Sequence, residues 1–446
     1  MKKQILNQLT LLATSIVLAQ SALANDFWSQ DRQYLLGDWA GERTKLEDKG
    51  YKFNLAFINE TAQNVDGGYN DNSINTNASQ LTLGTQLDLN KIAGWKDTTA
   101  AITITKRDGQ PLTNERIADP RTGAFSSVQE IYGRGQSWRL SQFWLKKELF
   151  DKSLQVKIGK MGLSEDFNAS HCEFQNLMLC GSQLGKTVGD VWYNWPVASW
   201  GLNAKYKFAP EWAFAVGIYE LNNENLLEKR GFNMDMDKTK GAMIPVELSW
   251  TPKLNGLAGE YKVGAFYSTK QSNDVKSNVD GGIWVTGQDK KVHDGKHSIW
   301  LNAQQQLTAH DNNTKRGLFG SANFTFNDKA TSTVISSQQL AIWYKGAFDA
   351  RPNDSIGLGL AHFDVNKRVR DRQSYTNDLN GLDASDYHLK QYIPVQHDEL
   401  NVELNYTFNW SPSVMIRPNI QFMHQPGGVK QIDDAWVLGL TTRFIF

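Results

Sequence analysis

The feature that most restricts the fold of this chain is an alternation of apolar and polar residues that recurs along its length and runs to its last residue. The final stretch, AWVLGLTTRFIF, places Trp436, Leu438, Leu440, Phe444 and Phe446 on one set of alternate positions, with Thr441 and Arg443 on the other. Period two marks a strand whose two faces meet different surroundings. Residues 398–408 show it most cleanly: Leu400, Val402, Leu404, Tyr406 and Phe408 oppose Asn401, Glu403, Asn405 and Thr407. The ends of soluble domains usually fray, so an aromatic tip on a last strand calls for a structural reason.

Sixteen such strands are predicted, at 51–62, 78–90, 98–107, 138–149, 153–161, 199–208, 212–221, 242–253, 260–270, 296–308, 316–327, 333–346, 354–364, 398–408, 413–424 and 435–446. The connections alternate in length: 150–152, 209–211 and 409–412 are short, whereas 63–77, 108–137, 162–198, 222–241, 271–295 and 365–397 are long. Short turns on one rim and long loops on the other describe an all-β fold, a closed antiparallel 16-stranded transmembrane β-barrel. An open edge in hydrocarbon would leave backbone donors and acceptors unpaired. The first and last strands must therefore pair, and the last runs to its tip because it seals the ring. Pro418 falls inside the fifteenth strand, where it cannot donate to a ladder. The reading predicts a bulge there or a strand boundary short of it.

The N-terminus sets the compartment. Lys2 and Lys3 precede an apolar run from Leu9 to Ala19, and SALA places Ala22 and Ala24 at cleavage-site positions. Residues 1–24 read as a secretory signal peptide. Residues 25–50 form a periplasmic segment whose LLGDWAGERTKLEDKG stretch predicts one short helix, with Asp38 as cap, Trp39, Arg43 and Leu46 on one face and Gly50 as stop. Residues 51–446 form the barrel, with both chain ends on the periplasmic side. No later stretch reaches the ~18 apolar residues of a spanning helix. Fifteen Trp, 14 Tyr and 21 Phe suit aromatic girdles at two membrane interfaces.

Other function classes find little support. Basic and acidic residues balance at 47 each, without the basic excess of a nucleic-acid partner. His171, His362 and His424 could serve as bases, but neither GxSxG nor HExxH occurs, so no enzyme, cofactor or metal is expected. Cys172 and Cys180, too far apart for a CxxC pair, are expected to form a disulfide after export, although the sequence leaves their oxidation open.

Several segments in order resemble the carbohydrate-selective porins of the OprB family. GDWAGERTKLEDKGYKFNLAFINETAQNVDGG (37–68) is similar to the family's opening helix and first strand. IGKMGLSEDF (158–167) and FQNLMLCG (174–181) resemble the segment after the fifth strand, and IRPNIQFMHQPGG (416–428) the penultimate strand and its loop. Ala40 and Glu42 depart from the opening motif. The resemblance implies a passive outer-membrane channel for glucose and similar small sugars, narrowed by inward-folded loops. Its surroundings would be outer-membrane lipid and lipopolysaccharide, with barrel-assembly machinery acting during insertion, as a monomer or homotrimer.

A sugar offers hydroxyls around an apolar ring face, so its wall should combine charged or amide groups with an aromatic platform. Alternation points Glu60, Thr103, Thr105, Arg107, Gln155, Lys157, Asn302, Gln304, Asn401, Glu403, Arg417, Asn419, Gln421 and Arg443 into the lumen. Arg107, Lys157, Glu403 and Arg417 are the preferred sugar contacts, with Trp144 as platform and Asn419 and Gln421 as further lining. The longest loop, 162–198, carries Glu165 and Asp166 toward the passage and is expected to narrow it. A channel for small acids, or for small hydrophilic solutes in general, is the alternative. An acid channel would need a one-signed arginine or lysine cluster at its narrowest point, and the alternating wall positions are mixed in sign.

Overall fold

A computed structural model describes residues 29–446; the expected signal peptide, 1–24, and the start of the expected periplasmic segment lie outside the described residues. The main sheet contains seventeen hydrogen-bonded segments, of which Lys253–Leu254 is a two-residue stub in a turn, leaving sixteen wall strands. In chain order they are β1 Tyr51–Gly68, β2 Asn75–Asp88, β3 Thr98–Gly109, β4 Trp138–Leu149, β5 Leu154–Met161 and β6 Ser199–Ala209. Next come β7 Trp212–Asn222, β8 Thr239–Trp250, β9 Leu257–Ser268, β10 Lys296–Gln306 and β11 Gly317–Asn327. The ring is completed by β12 Val334–Lys345, β13 Ser355–Val365, β14 Glu399–Ser411, β15 Val414–His424 and β16 Asp433–Ile445.

Every strand pairs antiparallel with its neighbours, and β1 pairs with β16 from Ala56↔Ile445 to Asn64↔Val437. Closure removes the edges that lipid would penalise. Alternation sorts the faces as predicted. Leu404, Ile420 and Leu438 project outward and exposed, while Asn401, Glu403 and Gln421 project inward and are buried. Trp212 stacks on Trp250 at 5.6 Å beside the short turns, and Phe422 lies 4.8 Å from Trp436 toward the long loops. These are aromatic groups at opposite ends of the strands, where membrane interfaces fall.

Four differences from the expected layout have local causes. β1 and β2 extend until only residues 69–74 connect them, so the expected 63–77 loop is mostly strand. In β4 the ladder to β3 steps from Thr103↔Gln142 to Ile104↔Leu140, a bulge at Ser141. The extra residue shifts the parity, so Arg139, Ser141 and Trp144 all face the lumen. Pro418 causes neither a bulge nor a boundary. It stays in β15 opposite Leu440, and the β14–β15 register is the same on either side of it, with rungs missing between Asn405↔Asn419 and Phe408↔Ile416; the shift in this ladder lies farther on, between Asn409 and Ser411 at the turn. The absent N–H thus costs part of one ladder and leaves the register intact. The long loop after β13 contains an unpredicted helix, α1, Lys367–Leu379, capped by Asn366, whose side chain accepts from Arg368 N.

The expected N-terminal helix is Glu42–Asp48. Asp38 accepts from Thr44 N and Thr44 Oγ1, at 2.9 and 2.8 Å, and so secures its first turn. Arg43 is buried, stacks on Tyr34 and Trp39 and donates to the carbonyls of Phe446 and Phe53. The arginine of GDWAGER thereby joins the helix to the β1–β16 seam.

Candidate functional site

Two loops bond to the inward face of the wall: 110–137, between β3 and β4, and 162–198, between β5 and β6. Buried loop backbone needs hydrogen-bond partners, and the polar inward face of the wall supplies them. Glu403 on β14 is fully buried and accepts from Gln175 N at 3.0 Å, Asn176 N at 2.6 Å and Asn405 Nδ2 at 3.0 Å. Asn419 Nδ2 donates to Gln175 Oε1, while Gln421 accepts from Asn176 Nδ2 and donates to the Val128 carbonyl. Glu399 likewise accepts from Phe125 N and Gly427 N. The loops also bond each other, Glu130 N to the Gln175 carbonyl and Leu177 N to the Ser127 carbonyl.

On the opposite wall the attachment is apolar. Phe167 and Trp192 of the second loop pack with Tyr219, Phe266 and Trp300 of β7, β9 and β10. Trp192 meets Trp300 at 5.6 Å, edge to face. Large buried rings supply most of the packing energy in such contacts. The second loop is therefore fixed on both sides of the lumen.

Cys172 and Cys180 are joined by a disulfide, and cavities lie on either side of it. The first, about 330 Å³, is lined by Arg107, Glu130, Arg134, Cys180, Lys186 and Trp195, among others. The second, about 550 Å³, opens toward the short turns and is lined by His171, Cys172, Trp343, Lys345, Arg417 and Arg443, among others. His171 stacks on Trp343 at 5.5 Å, and Trp343 on Phe319 at 5.6 Å.

The first cavity has the chemistry a hydroxylated solute requires. Gln80 Oε1 accepts from Arg107 Nε at 2.8 Å and from Trp195 Nε1 at 3.2 Å, fixing guanidinium and indole relative to each other. Arg134 donates to the carbonyls of Gly185 and Gly189. A Cβ on Gly189 would lie 2.7 Å from Arg134 Nη2, so glycine there leaves the guanidinium its approach. Glu130 is a carboxylate acceptor on the loop, half-buried. Lys186 Nζ donates to the Cys180 carbonyl at 2.6 Å, and burial pushes its pKa down to about 7 against the opposing pull of Glu130.

Of the nine residues selected from the sequence, Arg107 lines the first cavity and Arg417 the second. The others line neither. Glu403, Asn419 and Gln421 stand behind the loops and hold them, so they are not solute contacts in this arrangement. Lys157 bonds Asp166 at 2.9 Å and Glu165 at 3.4 Å, and its ammonium sits 4.8 Å over the Trp144 ring. That face of the expected platform is thus occupied. Glu130, Arg134, Lys186 and Trp195 were missed because loops carry no alternation to indicate which residues point inward.

Among the described residues, two clusters are of metal-ligand type. In one, Glu130 lies by Cys172 and Cys180, whose sulfurs are bonded to each other. In the other, His310, Asp311 and Asp349 lie on the short turns and line neither cavity, and Arg316 already bonds Asp349 at 2.7 Å.

Comparison with known proteins decides the family. The sequence profile of the carbohydrate-selective porins, OprB family, matches residues 75–446. The chain is 47% identical to the OprB of Pseudomonas putida in its high-pH structure, with a TM-score of 0.92 over 94% of this chain and all of that one. This chain belongs to the OprB family. It is also 60% identical over 445 residues to the putative porin QuiX of Acinetobacter baylyi, covering 98% of this chain and 99% of that protein. Porin B of Pseudomonas aeruginosa is 48% identical over 432 residues, covering 96% and 95% respectively. As an OprB-family porin, the chain is a passive, sugar-selective outer-membrane channel rather than an enzyme. It crosses the membrane many times, its termini are periplasmic and its outer face meets membrane lipid.

Proposed function

We propose that this porin passes monosaccharides such as glucose singly through an eyelet formed where loops 110–137 and 162–198 meet the wall. The observation that carries the reading is the juxtaposition of two guanidinium donors, one carboxylate acceptor and one indole around a single cavity of about 330 Å³. Arg107 and Arg134 donate to sugar oxygens, Glu130 accepts from adjacent hydroxyls and Trp195 covers the apolar ring face. Each contact replaces part of the solute's water. These contacts must stay weak enough for release, as conduction requires.

Small size favours monosaccharides over disaccharides. The disulfide and the buried Glu403 anchor keep the loops from yielding to a larger solute. Uptake of labelled glucose and maltose into proteoliposomes tests this reading. Glucose entering several-fold faster supports it, and equal rates would overturn it. In Glu130→Ala, glucose block of ion current should weaken.

A further inference from the structure

Several cations elsewhere in this lumen have carboxylate partners. Lys157 pairs with Asp166 and Glu165, Arg417 with Glu173 at 3.0 Å, Lys262 with Glu260 at 3.0 Å, and Lys296 with Asp190 at 3.0 Å. Among the described residues, the three cations around the first cavity have none, as is also true of Arg139 and Lys160 on the wall, but these three share one cavity. Arg107 bonds an amide oxygen and the Gly133 carbonyl, Arg134 two glycine carbonyls, and Lys186 the Cys180 carbonyl. Every acceptor is neutral, and among the described residues none of the three is in an ion pair.

Among the described residues, Glu130 is the one carboxylate lining that cavity. Glu60 lies behind it, 2% exposed, with its carboxylate accepting from Ile131 N. Three cations therefore face one lining anion at the proposed eyelet. The second cavity adds Arg443, for which no ion pair is found among the described residues, beside the Arg417–Glu173 pair. The whole sequence is balanced at 47 basic and 47 acidic residues, so the excess is a local arrangement. Charge of one sign in a low-dielectric cleft raises the local concentration of the opposite ion.

We propose that the eyelet favours hydroxylated solutes carrying one carboxylate, sugar acids of hexose size, over neutral sugars of the same size. The inference rests on the eyelet assignment above and adds the charge of the cargo. The carboxylate takes the place of the missing anion among Arg107, Arg134 and Lys186, while the hydroxyls meet Glu130 and the ring face meets Trp195. Guanidinium groups suit this role because their paired donors match a carboxylate edge to edge.

Initial uptake of labelled glucose and gluconate into proteoliposomes holding the full chain tests the proposal, at low and at high salt. Gluconate should enter faster at low salt, and its advantage should shrink as salt screens the eyelet. At pH 6, where Lys186 is largely charged, Lys186→Gln should lower the gluconate-to-glucose ratio about fivefold, the Coulomb factor for one charge at ~4 Å in a water-like medium. The wild-type comparison stands without the variant if Lys186→Gln inserts poorly. Equal rates, or gluconate lagging behind glucose, would overturn the charge inference and leave the sugar channel intact. Entry of neither solute would overturn the eyelet reading itself.

Discussion

Arg43 donates from Nη1 to the carbonyl oxygen of Phe446 at 2.7 Å, linking residues 403 positions apart in the chain. The same guanidinium reaches the Phe53 carbonyl and rests on the Tyr34 ring. Phe53 lies on β1 and Phe446 follows β16, so one buried side chain bridges the two strands that close the barrel. Leu35 N donates to the Ile445 carbonyl at 2.7 Å, and Phe446 N to the Leu55 carbonyl at 2.8 Å, within the same junction.

Arg43→Ala should weaken this seam. Charge-assisted hydrogen bonds contribute roughly 1.5–3 kcal/mol each, and truncation leaves buried carbonyls without a donor. The expected result is a lower unfolding temperature, read as the shift from folded to unfolded mobility on a heated detergent gel. Arg43→Lys should recover only part of the loss, since an ammonium cannot span both carbonyls as a planar fork does. An unchanged transition in Arg43→Ala would remove the clamp from the account.

Glu403→Ala should loosen the second loop without opening the barrel. It removes the acceptor shared by Gln175 N, Asn176 N and Asn405 Nδ2 in a fully buried position. Single-channel recordings should show larger and noisier conductance, and maltose should gain entry relative to glucose. A quiet current of wild-type size would mean that the loop is held by other contacts alone.

Reducing the Cys172–Cys180 disulfide should act more mildly. The bond spans the segment between the two cavities, but Glu403, Asn419 and Gln421 hold Gln175 and Asn176 within that same segment. We expect weaker glucose block of ion current with little change in open-channel conductance. A large rise in conductance on reduction, with oxidation of the starting protein verified by mass, would show the disulfide to be the main restraint.

Anion preference should depend on pH around neutrality through Lys186. Its pKa is lowered to about 7, so the ammonium is largely charged below that value and largely neutral above it. The groups around it at the cavity are Arg107 from β3 and Glu130 and Arg134 from the first loop, and guanidinium groups do not titrate near neutrality. The reversal potential in a potassium chloride gradient should therefore indicate greater anion permeability at pH 6 than at pH 8. Lys186→Gln should flatten that difference. A preference for anions that grows with pH would contradict the sign.

The sequence conveyed the wall better than the passage through it, for a physical reason. Lipid and water impose opposite demands on successive residues, so the facing of Leu404 or Glu403 can be read from parity alone. Parity does not reveal what stands in front of an inward residue. Glu403, Asn419 and Gln421 were correctly directed inward, yet loop backbone covers them. The β4 bulge was invisible because one extra residue changes facing without changing composition. Pro418 looked disruptive because its missing N–H could be counted, whereas its tolerance depends on which neighbouring strand loses rungs. Arg107 was legible because it lies on a strand. Glu130, Arg134, Lys186 and Trp195 were not, because loop direction is set by partners such as Gln80 and Gly185 that lie far away in sequence.

The most direct test of the central claim is the relative rate at which glucose and maltose enter proteoliposomes through the wild-type protein and through Glu130→Ala. The account predicts a strong preference for glucose in the wild type and weaker binding of glucose in the variant, seen as reduced block of ion current. Maltose entering as fast as glucose, with block unaltered by the substitution, would contradict it.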